Sequence, residues 1–286
     1  MSLKAAFIGL GAMGTPMAGH LKDRGLLHAV ASRTQANADA VAKEFGVIAP
    51  SLAEIAAQCD VIALCVTADA DVLSTVDALL PHLKKGTIVV DHSTVAPDTA
   101  KQAAAKLATV GAQFLDAPVS GGVEGAKNGK LSVMVGGDAD VLERARPVLE
   151  AYALRVTHLG DVGAGQATKA VNQVLVAGIA QGVCEGLALA EALGLDPERL
   201  LPTLGAGAAG NWFLEKRGAT MLRNEFSVGF KLGLLHKDLG IVRGIAEKAG
   251  TNRSVIERSL ADYAELMKQG HGDDDISGLI RLKRKG

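Results

Sequence analysis

The sequence predicts an α/β domain built on a doubly wound, mostly parallel sheet, followed by an all-α domain. Two observations support this prediction. Over residues 1–160, short apolar runs alternate with longer amphipathic segments, and strands that alternate with helices form parallel sheets covered on both faces. Beyond residue 160 the helical pattern continues without a convincing strand, which indicates helices that pack on one another.

The elements of the first domain follow from the period of the apolar residues. The predicted strands are Lys4–Gly9, His28–Ser32, Asp60–Val66, Thr87–Asp91, Ala112–Ala117, Leu131–Gly136 and Arg155–Leu159. The predicted helices between them are Met13–Arg24, Gln35–Phe45, Ala96–Leu107 and Ala139–Tyr152.

A glycine-rich segment, GDVGAGQ at residues 160–166, marks the change in pattern. We therefore predict two domains, residues 1–161 and residues 162–286. The second opens with one long helix from Ala167 to Leu193, which ends where Gly194 follows. The final segment, RLKRKG, is expected to be a solvated end of the chain.

The long helix is largely apolar, but it contains several polar residues: Asn172, Gln173, Gln181, Glu185 and Glu191. A membrane span needs roughly 20 nearly uninterrupted apolar residues, so we interpret this segment as a buried helix of a soluble protein. Its own domain offers few helices to cover it. Part of the cover is therefore expected from the first domain or from a second subunit, which predicts a homodimer or homotetramer.

The composition argues against several classes of function. Charged residues make up 21 % of the chain and the formal net charge is −1, so nothing in the charge balance predicts binding to nucleic acid or to a membrane. The three cysteines, Cys59, Cys65 and Cys184, are odd in number and include no C-x-x-C pair. We therefore expect no disulfide framework and no metal site. Unpaired cysteines suit a reducing compartment, and the predicted location is the cytoplasm.

The segment GLGAMG, residues 9–14, is a G-x-G-x-x-G sequence between the first strand and the first helix. In this position Gly9 permits a tight turn, Gly11 lets the backbone approach a pyrophosphate, and Gly14 lets the helix pack closely on the strand. The helix N-terminus offers N–H groups to the phosphates. These observations predict a Rossmann-type domain that binds a dinucleotide through Gly9, Gly11, Ala12, Met13 and Gly14.

The end of the second strand bears on which dinucleotide is bound. NAD-binding domains usually carry Asp or Glu there to bond the ribose 2′-OH, whereas this chain has Ser32, Arg33 and Thr34. A guanidinium and two hydroxyls suit a 2′-phosphate. NADP is therefore the predicted cofactor, and NAD remains possible if Arg33 only stacks on the adenine.

Two later strands also end in residues that are expected to face the cofactor, because ligands bind at the carboxyl edge of such a sheet. Val66 and Thr67 lie at the end of the third strand, and His92 and Thr94 follow the fourth. We predict that Val66, Thr67 and Thr94 contact the cofactor. We interpret His92 as a hydrogen-bonded neighbour, not as an acid or base.

A serine and two glycines, Ser120, Gly121 and Gly122, follow the fifth strand. A hydroxyl and unobstructed backbone N–H groups suit a substrate carboxylate. A plain turn is the alternative interpretation of this segment.

Three polar side chains of the long helix, Lys169, Asn172 and Gln173, are spaced i, i+3, i+4 and share one face. A lysine is costly to bury in an apolar helix, and desolvation lowers lysine pKa values toward those useful for proton transfer. We predict that Lys169 is the acid or base and that the amides bind substrate. A lysine that reaches solvent near a helix start is the alternative.

Four segments together resemble the β-hydroxyacid dehydrogenase family, which includes 3-hydroxyisobutyrate dehydrogenase and tartronate semialdehyde reductase. They are GLGAMGTPMA at Gly9–Ala18, DAPVSGG at Asp116–Gly122, GAGQATKAVNQ at Gly163–Gln173 and KDL at Lys237–Leu239. The resemblance covers nearly the whole chain. It implies hydride transfer between NADP or NAD and a small β-hydroxy acid or its semialdehyde.

The resemblance also implies roles for individual residues. Lys169 is expected to be the catalytic acid or base, the serine and glycines of DAPVSGG to bind the substrate carboxylate, and Asn172 to contact substrate. Thr94 and Lys237 are expected against the nicotinamide. The family usually has a second Asn where this chain has Gln173, which leaves the role of Gln173 open.

Three alternatives are weaker. Imine reductases share the fold and the Arg-Thr pair after the second strand, but they usually lack a lysine at the position of Lys169. The 6-phosphogluconate dehydrogenases are longer. A non-catalytic dinucleotide-binding scaffold would not need Lys169 and Lys237. Three further residues could line a substrate pocket or only pack: Asn211, Trp212 and Phe230.

Overall fold

The structure, a computed structural model, describes residues 3–284. The chain separates into two compact units, residues 1–169 and residues 170–286. The division falls inside one continuous helix, so the first turns of that helix belong to the first unit.

The first unit is built on a five-stranded sheet whose order is β2-β1-β3-β4-β5. The strands are β1 (Ala5–Ile8), β2 (Leu27–Ala31), β3 (Val61–Leu64), β4 (Ile88–Asp91) and β5 (Gln113–Asp116). Every neighbouring pair is parallel. The residues of the inner strands β1, β3 and β4 are all buried, as expected when helices cover both faces.

Helices lie on both faces of this sheet, which confirms the predicted doubly wound architecture. The helices of the first unit are α1 (Gly14–Asp23), α2 (Gln35–Phe45), α3 (Leu52–Gln58), α4 (Asp69–Leu79), α5 (Pro97–Ala108), α6 (Gly122–Lys127) and α7 (Ala139–Leu149), with a 3₁₀ turn at Leu80–His82. One apolar cluster joins α1, α2 and α7 to the sheet around Phe7 and Met17. A second joins α3, α4 and α5 to the other face around Ile62 and Val76.

Helices α3, α4 and α6 are additions to the predicted elements. Helices α3 and α4 each start with a local signal that the sequence contains. Ser51 and Glu54 form a reciprocal capping box at α3, and the Asp71 carboxylate accepts the Ala68 N–H at α4. Such pairs satisfy N–H groups that a helix start leaves unbonded.

The last strands do not continue the main sheet, which corrects the single series expected from the sequence. Strands β6 (Val119–Ser120), β7 (Leu131–Val135) and β8 (Ala153–His158) form a separate sheet in the order β6-β7-β8. The β6–β7 pair is antiparallel. Burial alternates along β7, and such alternation is typical of a strand with one covered face.

The second unit contains helices and one isolated β-bridge between Lys231 and Asp275 within the described residues, which confirms the all-α prediction. The helices are α8 (Ala164–Ala192), α9 (Pro197–Ala206), α10 (Trp212–Leu222), α11 (Leu232–Lys248) and α12 (Ser254–Lys268), followed by a 3₁₀ helix at Ile276–Leu282. The core of this unit forms around buried Leu235, Tyr263 and Leu279.

By length and composition α8 could cross a membrane, and 39 % of its most apolar window is buried. Two of its polar side chains bond within the second unit: Gln173 to Asp238 and Gln181 to Asp262. The helix also leaves a row of apolar side chains exposed, namely Val171, Leu175, Ile179 and Leu189, and Leu193 just beyond its end is exposed as well. A single chain therefore covers α8 only in part.

The C-terminal segment corrects one expectation. Instead of a solvated end, Lys283 lies 3.0 Å from the Asp262 carboxylate with a side chain that is only 6 % exposed. Arg284 bonds both carboxylate oxygens of Glu191. Residues 285–286 lie outside the described residues.

Candidate active site

The loop between β1 and α1 has the conformation that G-x-G-x-x-G predicts. Gly9 has φ +100°, and a Cβ there would overlap the Cys65 carbonyl oxygen. A Cβ on Gly14 would overlap the Gly9 carbonyl oxygen and lie 2.9 Å from Phe7, so α1 begins in direct contact with β1. By contrast, no protein atom lies within 4 Å of a Cβ built on Gly11.

Gly11 and Ala12 are exposed and Met13 is half-buried. The loop thus presents open backbone at the N-terminus of α1, where an anion is favoured by N–H groups and by the helix dipole. Open space at Gly11 and close packing at Gly14 fit the pyrophosphate of a dinucleotide.

The segment after β2 lies next to this loop. Arg33 and Thr34 are exposed and Ser32 is half-buried. Asn37, which no motif in the sequence indicates, donates from Nδ2 to the Leu10 carbonyl at 3.1 Å and to the Ser32 hydroxyl at 3.3 Å. An amide in the first turn of α2 therefore ties the Arg33 segment to the glycine-rich loop.

The ends of β3 and β4 are joined by hydrogen bonds. The Val66 N–H donates to the Ser93 hydroxyl at 2.9 Å, and the His92 N–H donates to the Leu64 carbonyl at 2.8 Å. Thr67 is exposed and Thr94 half-buried. The predicted cofactor-facing residues thus occupy neighbouring strand ends at the carboxyl edge of one sheet.

His92 is buried and bonded at both ring nitrogens, in agreement with its interpretation as a neighbour. Nδ1 lies 2.7 Å from the Ala117 carbonyl oxygen, and Nε2 lies 2.8 Å from the Tyr152 hydroxyl. Because a carbonyl oxygen can only accept a hydrogen bond, Nδ1 must be the protonated ring nitrogen. Burial lowers the pKa of His92 to about 4. The ring is therefore neutral near pH 7.

Asp91, next to His92, is a buried carboxyl group at the end of β4. Its Oδ1 accepts the Ser93 N–H at 2.9 Å, while its Oδ2 has no hydrogen-bond partner within the described part of the chain. Burial raises the pKa of Asp91 to about 7. Its ionisation in the folded protein therefore falls in the neutral range.

We expect Asp91→Asn to stabilise the protein at pH 8 and to change little at pH 4. Because burial raises the pKa of Asp91 from 3.8 to about 7, the unfolded chain holds fewer protons between these values, and stability falls as pH rises through them. His92, whose pKa falls from 6.5 to about 4, acts in the opposite sense. Thermal melts from pH 4 to pH 8 test this. A variant that melts below wild type at pH 8 would contradict it.

The segment after β5 places Ser120 at the end of the short strand β6, paired with Ser132. Gly121 and Gly122 follow with φ +131° and +61°, in the left-handed region that favours glycine. The three predicted carboxylate-binding residues therefore lie together at the junction of β6 and α6.

Lys169 lies beside this turn. Its Nζ donates to the Val119 carbonyl at 2.9 Å, and the residue is 7 % exposed. The structure thus brings Lys169 next to the segment that contains Ser120, a link that only the family resemblance had implied.

The polar face of α8 continues into the second unit. Asn172 Nδ2 donates to Gln173 Oε1 at 2.8 Å, and Gln173 Nε2 donates to Asp238 Oδ2 at 2.7 Å. The second carboxylate oxygen of Asp238 lies 2.9 Å from Lys237 Nζ. Asp238 therefore joins Gln173 to Lys237, and it was not among the predicted site residues. The sequence feature that could have indicated Asp238 is a carboxylate among the apolar residues on one face of α11.

The residues whose role was left open have structural contacts in the second unit. Asn211 caps α10 by accepting the Leu214 N–H at 2.9 Å. Trp212 is half-exposed and lies under the Arg217 guanidinium at 5.4 Å. The Phe230 N–H donates to Asp275.

Among residues 3–284, no group of three or more His, Cys, Asp or Glu side chains is arranged to hold a metal ion.

Family models match both parts of the chain. Residues 4–160 match the NAD-binding domain of 6-phosphogluconate dehydrogenase, and residues 163–283 match the NAD-binding domain of NADP-dependent 3-hydroxyisobutyrate dehydrogenase. The 3-hydroxyisobutyrate dehydrogenase of Pseudomonas aeruginosa is 34 % identical over 98 % of each chain. The chain belongs to the 3-hydroxyisobutyrate dehydrogenase family.

This family consists of nicotinamide-dependent oxidoreductases, and its members differ in cofactor and substrate. The NAD-dependent L-serine dehydrogenase of Pseudomonas aeruginosa is 36 % identical over 97 % of this chain and 96 % of its own length. The Mycobacterium tuberculosis 3-hydroxyisobutyrate dehydrogenase structure with L-serine has a TM-score of 0.89 and 32 % identity, covering all of both chains.

Two further solved structures bear on cofactor and fold. The protein Psf3, in complex with NADP⁺, has a TM-score of 0.89 and 27 % identity, covering 97 % of this chain and 99 % of its own. An imine reductase from Pseudomonas sp. has a TM-score of 0.67 and 19 % identity, covering 98 % and 99 %, and it shows likeness of fold alone.

Proposed function

We propose that this enzyme transfers a hydride between NADP(H), or NAD(H), and a small β-hydroxy acid or its semialdehyde. The observation that carries the proposal is the position of Lys169 Nζ, which lies 2.9 Å from the Val119 carbonyl oxygen. Val119 directly precedes Ser120 in the chain. A buried amine beside an open turn of serine and glycines combines proton transfer with carboxylate binding.

The nicotinamide, when bound, supplies or accepts the hydride. In the reducing direction the Lys169 ammonium protonates the alkoxide that forms on the substrate. In the oxidising direction the neutral amine removes the hydroxyl proton. The Val119 carbonyl orients Nζ before either step.

The remaining site residues bind and orient. We assign the substrate carboxylate to Ser120, Gly121 and Gly122, and substrate contact to Asn172. The side-chain amide of Gln173 donates a hydrogen bond to Asp238, so we assign Gln173 an indirect part in substrate binding. We assign Lys237, beside Asp238, to the nicotinamide end together with Thr94.

The dinucleotide is assigned to the carboxyl edge of the main sheet. The residues proposed to contact it are Gly9, Gly11, Ala12, Met13, Gly14, Ser32, Arg33, Thr34, Val66 and Thr67. We place the domain boundary at residue 161, between the segments 4–160 and 163–283 that the two family models match.

The function is tested by following cofactor absorbance with a panel of β-hydroxy acids and semialdehydes. We expect turnover with at least one acid, and little turnover when its carboxylate is replaced by a neutral amide. Ser120→Ala should raise KM for the acid. It is a cleaner test than a substitution at Gly122, whose positive φ would add backbone strain. Equal rates for acid and amide would overturn the assignment of the carboxylate.

The same panel separates two other functions. An imine reductase would reduce cyclic imines without acting on hydroxy acids. A non-catalytic scaffold would bind NADP(H) without turnover of any compound. The presence of a buried lysine beside Val119 favours the dehydrogenase over both.

NADP is the cofactor that we propose to be preferred. Arg33 is exposed at the end of β2, with no carboxylate among its neighbours Ser32 and Thr34. We expect Arg33→Ala to raise KM for NADP by at least about tenfold, the loss of a charge-assisted bidentate pair, and KM for NAD much less. Steady-state kinetics with both cofactors measure this. A wild-type preference of tenfold or more for NAD would contradict the proposal.

We propose that two or four copies of the chain associate through α8, and that the enzyme works in the cytoplasm without nucleic-acid or membrane partners. Cys59, Cys65 and Cys184 form no disulfide. Leu175, in the exposed apolar row, is 62 % exposed. A row of this kind marks a protein interface.

Light scattering should give a mass of two or four subunits, and Leu175→Arg should lower it while the melting temperature falls. A monomeric wild type at micromolar concentration would contradict the proposed association.

A further inference from the structure

The first turn of α8 is held in place by the end of β5. Asp116 is fully buried, and its carboxylate oxygens accept the Gly163 N–H at 2.7 Å and the Gln166 N–H at 2.8 Å. The carboxylate therefore caps the helix that contains Lys169, at the end where the helix dipole favours negative charge.

Glycines allow the same turn to pack backbone against backbone. A Cβ on Gly165 would lie 2.6 Å from the Asp116 carbonyl oxygen and 2.9 Å from Asp116 Oδ2. A Cβ on Gly136 would lie 2.8 Å from the Gly165 nitrogen and from the Asp161 carbonyl oxygen. The start of α8 therefore has little freedom to shift along or away from the strands beneath it.

Gln166, in this first turn, joins α8 to the segment after β4. Its side chain is buried, with the residue 1 % exposed. Nε2 donates to the Ser93 carbonyl at 2.7 Å, and Oε1 accepts the Val95 N–H at 3.2 Å. The primary amide thus pairs with the backbone on both sides of Thr94, as a neighbouring strand would.

We propose that Gln166 is a positioning residue, which sets the distance between Lys169, one turn further along α8, and the Thr94 segment through this two-bond pairing. The inference rests on the proposed function of Lys169. A displacement of reacting groups by about 1 Å can cost a factor of 10² in rate. The pairing therefore matters to the chemical step, beyond its contribution to folding.

Gln166→Met tests this, because methionine nearly preserves the volume and removes both bonds. We expect kcat to fall by roughly 10- to 100-fold, and the KM for the cofactor to change much less, since the proposed phosphate contacts in the glycine-rich loop are untouched. The control is Asp138→Ala in the same unit, which removes the cap of α7 formed with the Asp140 and Val141 N–H groups. It should lower the melting temperature without changing kcat.

If Gln166→Met does not fold, Gln166→Glu replaces it, since a carboxylate can still accept from Val95 but cannot donate to Ser93. In either variant, a kcat within threefold of Asp138→Ala, measured well below both melting temperatures, would overturn the inference.

A double-mutant cycle shows whether Gln166 acts through Lys169. In a Lys169→Ala background the Gln166 substitution should change kcat by less than about threefold, because the group that it positions is gone. The same large factor in both backgrounds would overturn the inference. If Lys169→Ala alone keeps the wild-type kcat, the proposed function has failed. If Lys169→Ala is slow but Gln166→Met keeps the wild-type kcat, only the inference about Gln166 has failed.

Discussion

Lys169→Ala is expected to lower kcat by about 10²- to 10⁴-fold, the usual contribution of a positioned acid or base. This corresponds to about 3–5 kcal/mol of transition-state stabilisation. The physical reason is the position of Nζ beside the Ser120 segment, where it is held by the Val119 carbonyl. Cofactor affinity should change little, because the glycine-rich loop contains the proposed phosphate contacts.

Two variants separate this role from a structural one. Lys169→Arg keeps the charge, but a guanidinium does not release its proton near neutral pH, so its kcat should also be low. Lys169→Met keeps much of the buried volume and loses the charge. Measurement of kcat, NADP affinity and melting temperature distinguishes the outcomes. A near-wild-type kcat in Lys169→Arg would rule out proton transfer by this residue.

The same substitution at two glycines of the cofactor loop should have opposite effects. Gly14→Ala is expected to cost about 2–4 kcal/mol of stability, because its Cβ would overlap the Gly9 carbonyl oxygen and press on Phe7. Gly11→Ala meets no protein atom within 4 Å, so its melting temperature should stay close to wild type. Its affinity for NADP should fall by about tenfold or more, since the methyl group occupies space that the pyrophosphate needs.

Calorimetry of the free protein and titration with NADP measure the two effects separately. Each variant is the control for the other, because both add one methyl group to the same loop. A Gly11→Ala variant that binds NADP as tightly as wild type would show that the dinucleotide does not approach this side of the loop.

Local patterns in the sequence predicted much of the fold. The alternation of apolar runs and helical segments identified the five parallel strands and their doubly wound helices, because burial on both faces requires continuous apolar strands. The i, i+3, i+4 spacing of Lys169, Asn172 and Gln173 placed them on one face of α8, since helix geometry depends only on separation along the chain.

The separate second sheet was not predicted. The strand β6 has only two residues, and pairing of Asp116 with Gly136 as an isolated bridge depends on segments 20 positions apart. Sequence period identifies a strand, but it does not specify the strand's neighbours. The same limit applies to the C-terminal segment, because the sequence pattern does not indicate that Lys283 forms an ion pair with Asp262.

The sequence by itself identified the groups of the proposed site: the glycine-rich loop at Gly9–Gly14, Arg33 in place of a carboxylate, and Lys169 on an otherwise apolar helix. The tertiary structure decided their partners, because hydrogen bonds between residues 50 to 73 positions apart form only when the fold brings those residues together. Only the fold joins Gln173 to Asp238 and sets the Gln166 amide against the backbone around Thr94. Burial then changes the chemistry of these groups, and a carboxyl such as Asp91 acquires its raised pKa from surroundings that no local pattern describes.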